Sequence, residues 1–595
     1  MARGSLRRGC ATLGVMTMLG ASSVGGHAWA APEYHPIVPT MEGTTVTLTG
    51  HDLTIEELIA VARYGAKVQY GPGVVQHASD ALGLMLEANA EGVPVYGINR
   101  GYGVHREDEK KQERSIRPML GAGALPEVSD EELVRATLLI SANTLVYAAT
   151  TPEESQMLLD LLNKRITPVA YSRGTLGEAD FPAMSNNITA TVGGEGEVYY
   201  KGVRMPAAEA QRQAGLKPLT GGRARGGAEN AYGDALAALV VADARRALEW
   251  TDLIFAMAKL GINGSVTPMG TLSQSNRPFK WVNWDAARIM DILKGSYLFE
   301  SDPKRILQDP QSMDSFYIRA GSAWQAWAAL RDNLLLQINS ADLNPAAWVG
   351  ASPQDSWELS TPEYMRFYVK GGALSHGQHG YVLSTSNWDP YPLANDVEAF
   401  TNALANMDAQ VAQMIERFSD RGPTAFFTGV KPLDVLTAEQ FQASPWLPYS
   451  YPVVMDLWAE VQSQSRSITP GATAADFGDA DTEGLTRLKG THAREVVDLT
   501  MKLLAYDLLT TTYWMDVRKV QNPTRGFGQA PTAAWTAFRN MVPWQQDPKL
   551  RPQIPYGIVA YNFLKSSPAT TFYSGGPAMP DTEGNSTQAK ATRTQ

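Results

Sequence analysis

Residues Leu393–Phe418 read LANDVEAFTNALANMDAQVAQMIERF. Their large apolar members Leu393, Val397, Phe400, Leu404, Met407, Val411, Met414 and Phe418 recur at alternating spacings of four and three. This is the a/d seam of a helix packed lengthwise in a bundle. Two further apolar-rich stretches, Ala235–Leu260 and Val496–Val517, are its expected neighbours. Such a seam specifies architecture and carries no chemistry of its own.

Working outward, Thr45–Thr49 (TVTLT) has strand composition. Thr54-Ile55-Glu56-Glu57 and Ser129-Asp130-Glu131-Glu132 read as capping boxes, the second opening a helix over Leu133–Ala148. Thr151-Pro152-Glu153-Glu154 places Pro at a first helical position. Val93–Val104 is a glycine-rich loop, and Ala472–Gly484 reads as another loop. Beyond Ser574 the composition is small and polar, which predicts a disordered tail.

The 595 residues, 44% hydrophobic, suffice for a large core. The formal charge of −10 argues against nucleic acid or an anionic membrane surface as partner. The only cysteine is Cys10. It lies in a segment whose only charges are Arg3, Arg7 and Arg8, followed by a small-apolar run and Ala28-Trp29-Ala30. Residues 1–30 therefore read as an export signal, cut before Ala31, which predicts a periplasmic or secreted protein. The Arg7-Arg8 pair resembles a twin-arginine signal, although Gly9-Cys10-Ala11 matches one weakly. A chain starting at Ala31 has no thiol, and no later stretch is apolar enough to span a bilayer.

Two segments stand out chemically. Val95-Tyr96-Gly97-Ile98-Asn99-Arg100-Gly101-Tyr102-Gly103-Val104 puts two phenols, an amide and a guanidinium on a glycine-hinged loop. Ser172–Pro182 carries Glu178 and Asp180 among small residues, either a carboxylate pair with split pKa values or turn-forming acids. His376 and His379 are three apart in a glycine-rich segment, but further metal ligands cannot be placed, so no metal is expected.

Together these segments resemble the aromatic amino-acid ammonia-lyase family, which includes histidine and phenylalanine ammonia-lyases. Tyr96–Gly103 is similar to the family's Tyr-Gly-x-Asn-Thr-Gly-Phe-Gly loop. Gly193-Gly194-Glu195-Gly196-Glu197, Pro206–Ala210, Gly215–Leu219, Leu307-Gln308-Asp309-Pro310, Ile338-Asn339-Ser340, Asn344-Pro345 and Asn387-Trp388 follow in family order. The resemblance implies a mainly α fold: a long helical bundle core with a smaller mixed α/β N-terminal domain. The expected layout is a signal over 1–30, a mixed domain over 31–230, the bundle over 231–573 and the tail over 574–595. It also implies a homotetramer of 222 symmetry whose sites draw on three subunits.

The departures bear on chemistry. In the family, an Ala-Ser-Gly tripeptide ahead of an Asp cyclises and dehydrates into an electrophilic methylidene-imidazolone group. Here Asp180 is kept but the tripeptide is Gly177-Glu178-Ala179. Glutamate has no β-hydroxyl to lose, so no such group and no other cofactor is expected. The family's catalytic-loop Tyr and substrate-carboxylate Arg fall at Gln311 and Asp314, and its ring-contacting His falls at Leu120. Its Gln-Glu falls at Phe477-Gly478.

By the resemblance, Tyr96 is kept as the proton-abstracting tyrosine, and Gln308 is kept. Asn230 matches the asparagine that holds the group's oxygen and the substrate carboxylate, and Trp388 takes an aromatic pocket position. Tyr102 and Trp388 would suit a cation through their π faces. Arg100 or Arg319 would replace the missing carboxylate clamp, or Arg100 would pair with Glu178. A phenol has a pKa of roughly 10 and needs nearby positive charge to act as a base, with Arg100 the local candidate. A partly buried Glu178 would rise toward neutrality and donate a proton.

Three functions stay open for a small-molecule site built on Tyr96 and Glu178. The first is a lyase acting on an aromatic or imidazole amino-acid-like substrate with a good leaving group, such as the quaternary ammonium taken by the family's betaine lyases. The second is an isomerase, cyclase or transferase using the same pocket. The third is a non-catalytic binding protein.

Overall fold

The computed structural model describes residues 33–101, 103–109, 123–177, 184–219, 230–419, 429–443, 450–468, 472–475, 480–544, 548–550 and 553–580. Residues 1–30, expected to be an export signal, and Tyr102, Leu120, Glu178–Asp180 and Phe477-Gly478 lie outside the described residues. The mainly helical architecture follows from eighteen α-helices among those described.

The N-terminal third holds α1 (Ile55–Ala62), α2 (Val74–Ala90), α3 (Glu131–Thr144), α4 (Pro152–Lys164), α5 (Asn186–Val192) and α6 (Ala207–Gln213). These alternate with short strands, including the parallel pair Thr45–Leu48 and Lys67–Tyr70. Next come α7 (Ala231–Ile262), α8 (Thr271–Ser275), α9 (Lys280–Ile292), α10 (Gln311–Asp314), α11 (Phe316–Gln337) and α12 (Pro362–Met365). The chain continues through α13 (Leu393–Ser419), α14 (Ala438–Ala443), α15 (Ser450–Gln464), α16 (Thr486–Gln521), α17 (Gln529–Met541) and α18 (Tyr556–Ser566).

The seam is wholly interior: each of its eight large apolar residues on α13 is at most 1% exposed. Of its two expected neighbours, α16 packs along it, whereas α7 packs on α16 and α11 and leaves α11 as the second long helix against α13. Small residues set the register of α7 and α16. An ideal Cβ on Gly233 would stand 2.7 Å from Thr486 Oγ1, one on Gly490 2.9 Å from Leu236 Cβ, and one on Gly261 3.0 Å from Trp514 Cβ. Levels advance together along both helices, so α7 and α16 run parallel. Thr500 Oγ1 donates to Asp408 Oδ2 at 2.8 Å and Trp514 Nε1 to the Phe418 carbonyl at 3.0 Å, which makes α13 parallel to them as well. By contrast, α11 runs antiparallel to α13: Arg319 reaches the Asn406 carbonyl, while Asn333 reaches Asp396 further back. Three long helices therefore begin at one end of the bundle.

Thr54 and Thr151 close both halves of a capping box, with Pro152 in the first turn of α4. Ser129 does not cap α3. The N-cap is Asp130, and its carboxylate bonds His35 and Arg494 instead, while Glu132 pairs with Arg63 and Arg494. Ion pairs to distant arginines outcompete the local cap. The helix proper ends at Thr144, and Leu145–Tyr147 form a 3₁₀ turn.

Two more expectations are corrected. Ala472–Ala475 and Ala480–Thr482 form an antiparallel pair inside the supposed loop. The segment after Ser574 is ordered at least to Pro580, with Trp284 Nε1 donating to the Pro577 carbonyl at 3.1 Å and Met579 packed on the core. Buried apolar side chains on both sides of residue 230 share one core. Among the described residues no helix is long and apolar enough to cross a membrane, and no cluster of three or more potential ligands could hold a metal ion.

Candidate active site at the common start of three helices

The strand Tyr171–Arg173 leads to Gly177, which docks on the beginning of α16. The Leu485 N–H donates to the Leu176 carbonyl at 2.7 Å, and Thr486 Oγ1 approaches the Gly177 carbonyl at 3.5 Å. Gly177 has φ +97°, and an ideal Cβ there would lie 2.5 Å from the Leu485 nitrogen and 2.6 Å from that of Thr486. Both the backbone angle and the contact demand glycine. Gly233, in the first turn of α7, closes on the same Thr486 hydroxyl, and a Cβ on Gly484 would strike Pro390 at 2.3 Å.

Asn230 sits at the head of α7, 1% exposed. Its backbone N–H donates to Asp342 Oδ2 at 2.9 Å, and Nδ2 donates to the Trp388 carbonyl at 2.7 Å. A carbonyl partner fixes which end of the amide is nitrogen, so Oδ1 is the acceptor, buried and without a hydrogen-bond partner among the described residues. Trp388 is half-buried, with its indole N–H on the Thr385 carbonyl at 2.8 Å. One turn below, Lys489 (3% exposed) pairs with Glu398 at 3.2 Å and ties α16 to α13.

Gly177, Asn230 and Trp388 thus gather where α7, α13 and α16 start. Helix N-termini carry partial positive charge and uncommitted N–H groups, so this end favours a carboxylate or a developing oxyanion.

The tyrosine loop is a separate, well-tied unit. Asn99 staples it, accepting from the Val95 N–H and donating to the Val93 carbonyl, both at 2.8 Å. The Gly103 N–H donates to the Tyr96 phenol oxygen at 3.0 Å, a contact that would strengthen as that oxygen gained negative charge. Val93 and Val95 pack with Leu84, Met85, Val369 and Val382, seating the loop against the sheet of Ala346–Val349, Tyr368–Val369 and Gly380–Leu383. Arg100 pairs with Glu109 at 3.3 Å, while Glu178, its other candidate partner, lies outside the described residues.

Gln308 and Arg319 lie elsewhere. Asp309 is locked into a buried ion pair with Lys259 and accepts the Ser265 N–H, which pins the Gln308 loop to the far end of α7. From Asn230 to Lys259 the helix rises about 43 Å. Gln308 is exposed, with a long 3.5 Å contact to Asp314. Arg319 donates to the Asn406 carbonyl at 3.0 Å, about 20 Å along α13 from its start. One chain cannot bring either side chain to Asn230.

Sequence reasoning missed Thr486, Asp342, Lys489 and Glu398. None lies in a local pattern that separates it from an ordinary surface residue; only the convergence of the helix starts brings them together.

Comparison with known proteins identifies the family and the fold. The family model for aromatic amino acid lyases matches residues 53–540, so the chain belongs to that family. A histidine ammonia-lyase of Stigmatella aurantiaca is 29% identical over 529 residues, spanning 84% of this chain and 93% of that protein. The crystal structure of the ergothioneine-degrading enzyme ergothionase from Treponema denticola superposes with a TM-score of 0.71 at 22% identity, covering 88% of this chain and 99% of that one. Tyrosine aminomutase from Streptomyces globisporus superposes with a TM-score of 0.72 at 20% identity, covering 90% and 100%. These likenesses to solved structures establish the shared fold.

Proposed function

We propose that this chain is an exported lyase acting on an aromatic or imidazole amino-acid-like substrate with a good leaving group, and that it works without a methylidene-imidazolone. The observation that carries this is the seat of Gly177. The family's group begins from Ala-Ser-Gly, but a Cβ at 177 would stand 2.5 Å from the Leu485 nitrogen, and the next residue, Glu178, has no hydroxyl to eliminate. The residues present do not fit the group, so no step is routed through it. A histidine ammonia-lyase relative and a structural neighbour that degrades ergothioneine support imidazole-bearing substrates.

Tyr96, as phenolate, takes the proton from the carbon next to the one bearing nitrogen. The C–H electrons form the double bond and the C–N electrons leave with the nitrogen. A quaternary ammonium departs as a neutral amine and needs no proton; a lesser leaving group takes one from Glu178. The helix starts steady the substrate carboxylate, and Trp388 and Tyr102 offer π faces to the cation.

Because Gln308 and Arg319 lie far from Asn230 within one chain, we infer that complete sites form between copies, as a homotetramer. Leu307, 95% exposed beside Gln308, and Leu272, 85% exposed, are apolar surface for a neighbouring copy to cover.

The test is incubation of the full chain with aromatic and imidazole amino acids and their N-trimethyl betaines, with products followed by mass. Release of trimethylamine with an unsaturated acid is expected. Tyr96→Phe and Glu178→Gln should each cut turnover about 10²–10⁴-fold while leaving binding largely intact. Wild-type turnover in both variants would overturn the assignment.

A further inference from the structure

Both nitrogens of Asn230 are turned to protein acceptors. The backbone N–H goes to Asp342 Oδ2 at 2.9 Å and the side-chain Nδ2 to the Trp388 carbonyl at 2.7 Å. Those acceptors are themselves held. The Trp388 indole N–H donates to the Thr385 carbonyl at 2.8 Å, and the Thr385 hydroxyl donates to the Leu343 carbonyl at 2.7 Å. The Thr385 N–H adds a bond to Asn344 Oδ1 at 3.1 Å. Because Leu343 follows Asp342 in the chain, these bonds close a ring from Asn230 through Asp342–Leu343, Thr385 and Trp388 back to Asn230.

The ring fixes the sense of the amide. A turned amide would set Oδ1 against the Trp388 carbonyl, two acceptors facing each other. What the ring leaves over is Oδ1, a buried acceptor with no donor among the described residues. Such a group is costly to leave bare. With the Asp342 carboxylate on the same residue, Oδ1 suits a donor and would repel a second carboxylate.

We propose that Asn230 sets specificity in this site: its Oδ1 accepts the ring N–H of an imidazole-bearing substrate, in place of the carboxylate contact that the resemblance implies for it. The inference rests on the lyase reading above for the class of substrate. A quaternary ammonium carries no N–H, so the ring nitrogen is the donor that such a substrate offers. A ring of similar outline without an N–H leaves Oδ1 unpaired, and sites built around a buried polar group reject such analogues far more strongly than they reject a missing methylene.

The experiment is titration calorimetry of the full chain with the N-trimethyl betaines of L-histidine and of thienyl-L-alanine, and with thienyl-L-alanine itself. Thiophene keeps the outline of the ring without an N–H, and the free amino acid has N–H groups on its ammonium alone. The histidine betaine should bind, and both thienyl compounds should bind at least about tenfold more weakly. In Asn230→Leu, which removes the acceptor at similar size, that preference should shrink to about threefold or less. The compound series on the unaltered chain decides the matter if the variant fails to fold. No binding of the histidine betaine at millimolar concentration, equal binding of the two betaines, thienyl-L-alanine binding as tightly as the histidine betaine, or a preference that survives in Asn230→Leu would each overturn the proposal. Trimethylamine release, followed in the same samples, tests the lyase reading by itself. Selective binding without release would leave the role of Asn230 standing and remove the lyase; release without selectivity would do the reverse.

Discussion

Gly177 and Leu485 are in such close approach that a single added methyl group on the glycine would stand 2.5 Å from the Leu485 backbone nitrogen. The contact joins the loop after Tyr171–Arg173 to the first turn of α16, and backbone on both sides leaves nothing flexible to yield. Gly177→Ala adds that methyl at φ +97°. It should cost about 1–3 kcal/mol of stability and push the loop away from the first turn of α16. Thermal unfolding and turnover measured together should both fall; an unchanged melting temperature would show that the junction is loose.

The far end of α7 makes a different demand. Lys259 and Asp309 are 1% and 0% exposed, and each is the other's compensation. Lys259→Met strands the Asp309 carboxylate and should cost about 3–5 kcal/mol, whereas Lys259→Met with Asp309→Leu should recover much of the loss. Chemical denaturation of the three proteins reads this directly. Because Asp309 anchors Gln308, the single variant should also reduce activity more than the double one does.

Within the bundle, burial pushes the Asp408 carboxyl up to about 8, with only the Thr500 hydroxyl opposing it. The folded protein therefore holds a proton that the unfolded chain loses above its ordinary pKa of 3.8. Between those two values stability falls as pH rises, because the unfolded state binds fewer protons there. Asp408→Asn, neutral at every pH, should raise the melting temperature more at pH 8 than at pH 5. An equal effect at both pH values would show that Asp408 titrates normally.

What was legible in the sequence follows from the range of the forces involved. The four-three seam on α13, the box at Thr54 and the proline-opened helix start at Thr151 depend on neighbours within a turn or two, and the structure has them as expected. Ser129 misled because Asp130 and Glu132 answer to Arg63 and Arg494, far along the chain. The hairpin of Ala472–Ala475 and Ala480–Thr482 lacks β-branched strand composition apart from two threonines, and its pairing did not show. At the site, Asn230 and Trp388 were reached through family resemblance, and the hydrogen bond joining them is visible only in three dimensions. Thr486 and Asp342 had no local signal at all.

The chemistry turns on whether Gly177-Glu178-Ala179 stays an ordinary peptide. Intact-mass analysis of the purified chain, followed by peptide mapping across 173–204, decides it. The expected result is the full sequence mass from Ala31 onward, with the peptide holding Glu178 unmodified. A chain two waters lighter, with the loss mapped to Gly177–Ala179, would contradict a lyase that works without a self-made electrophile.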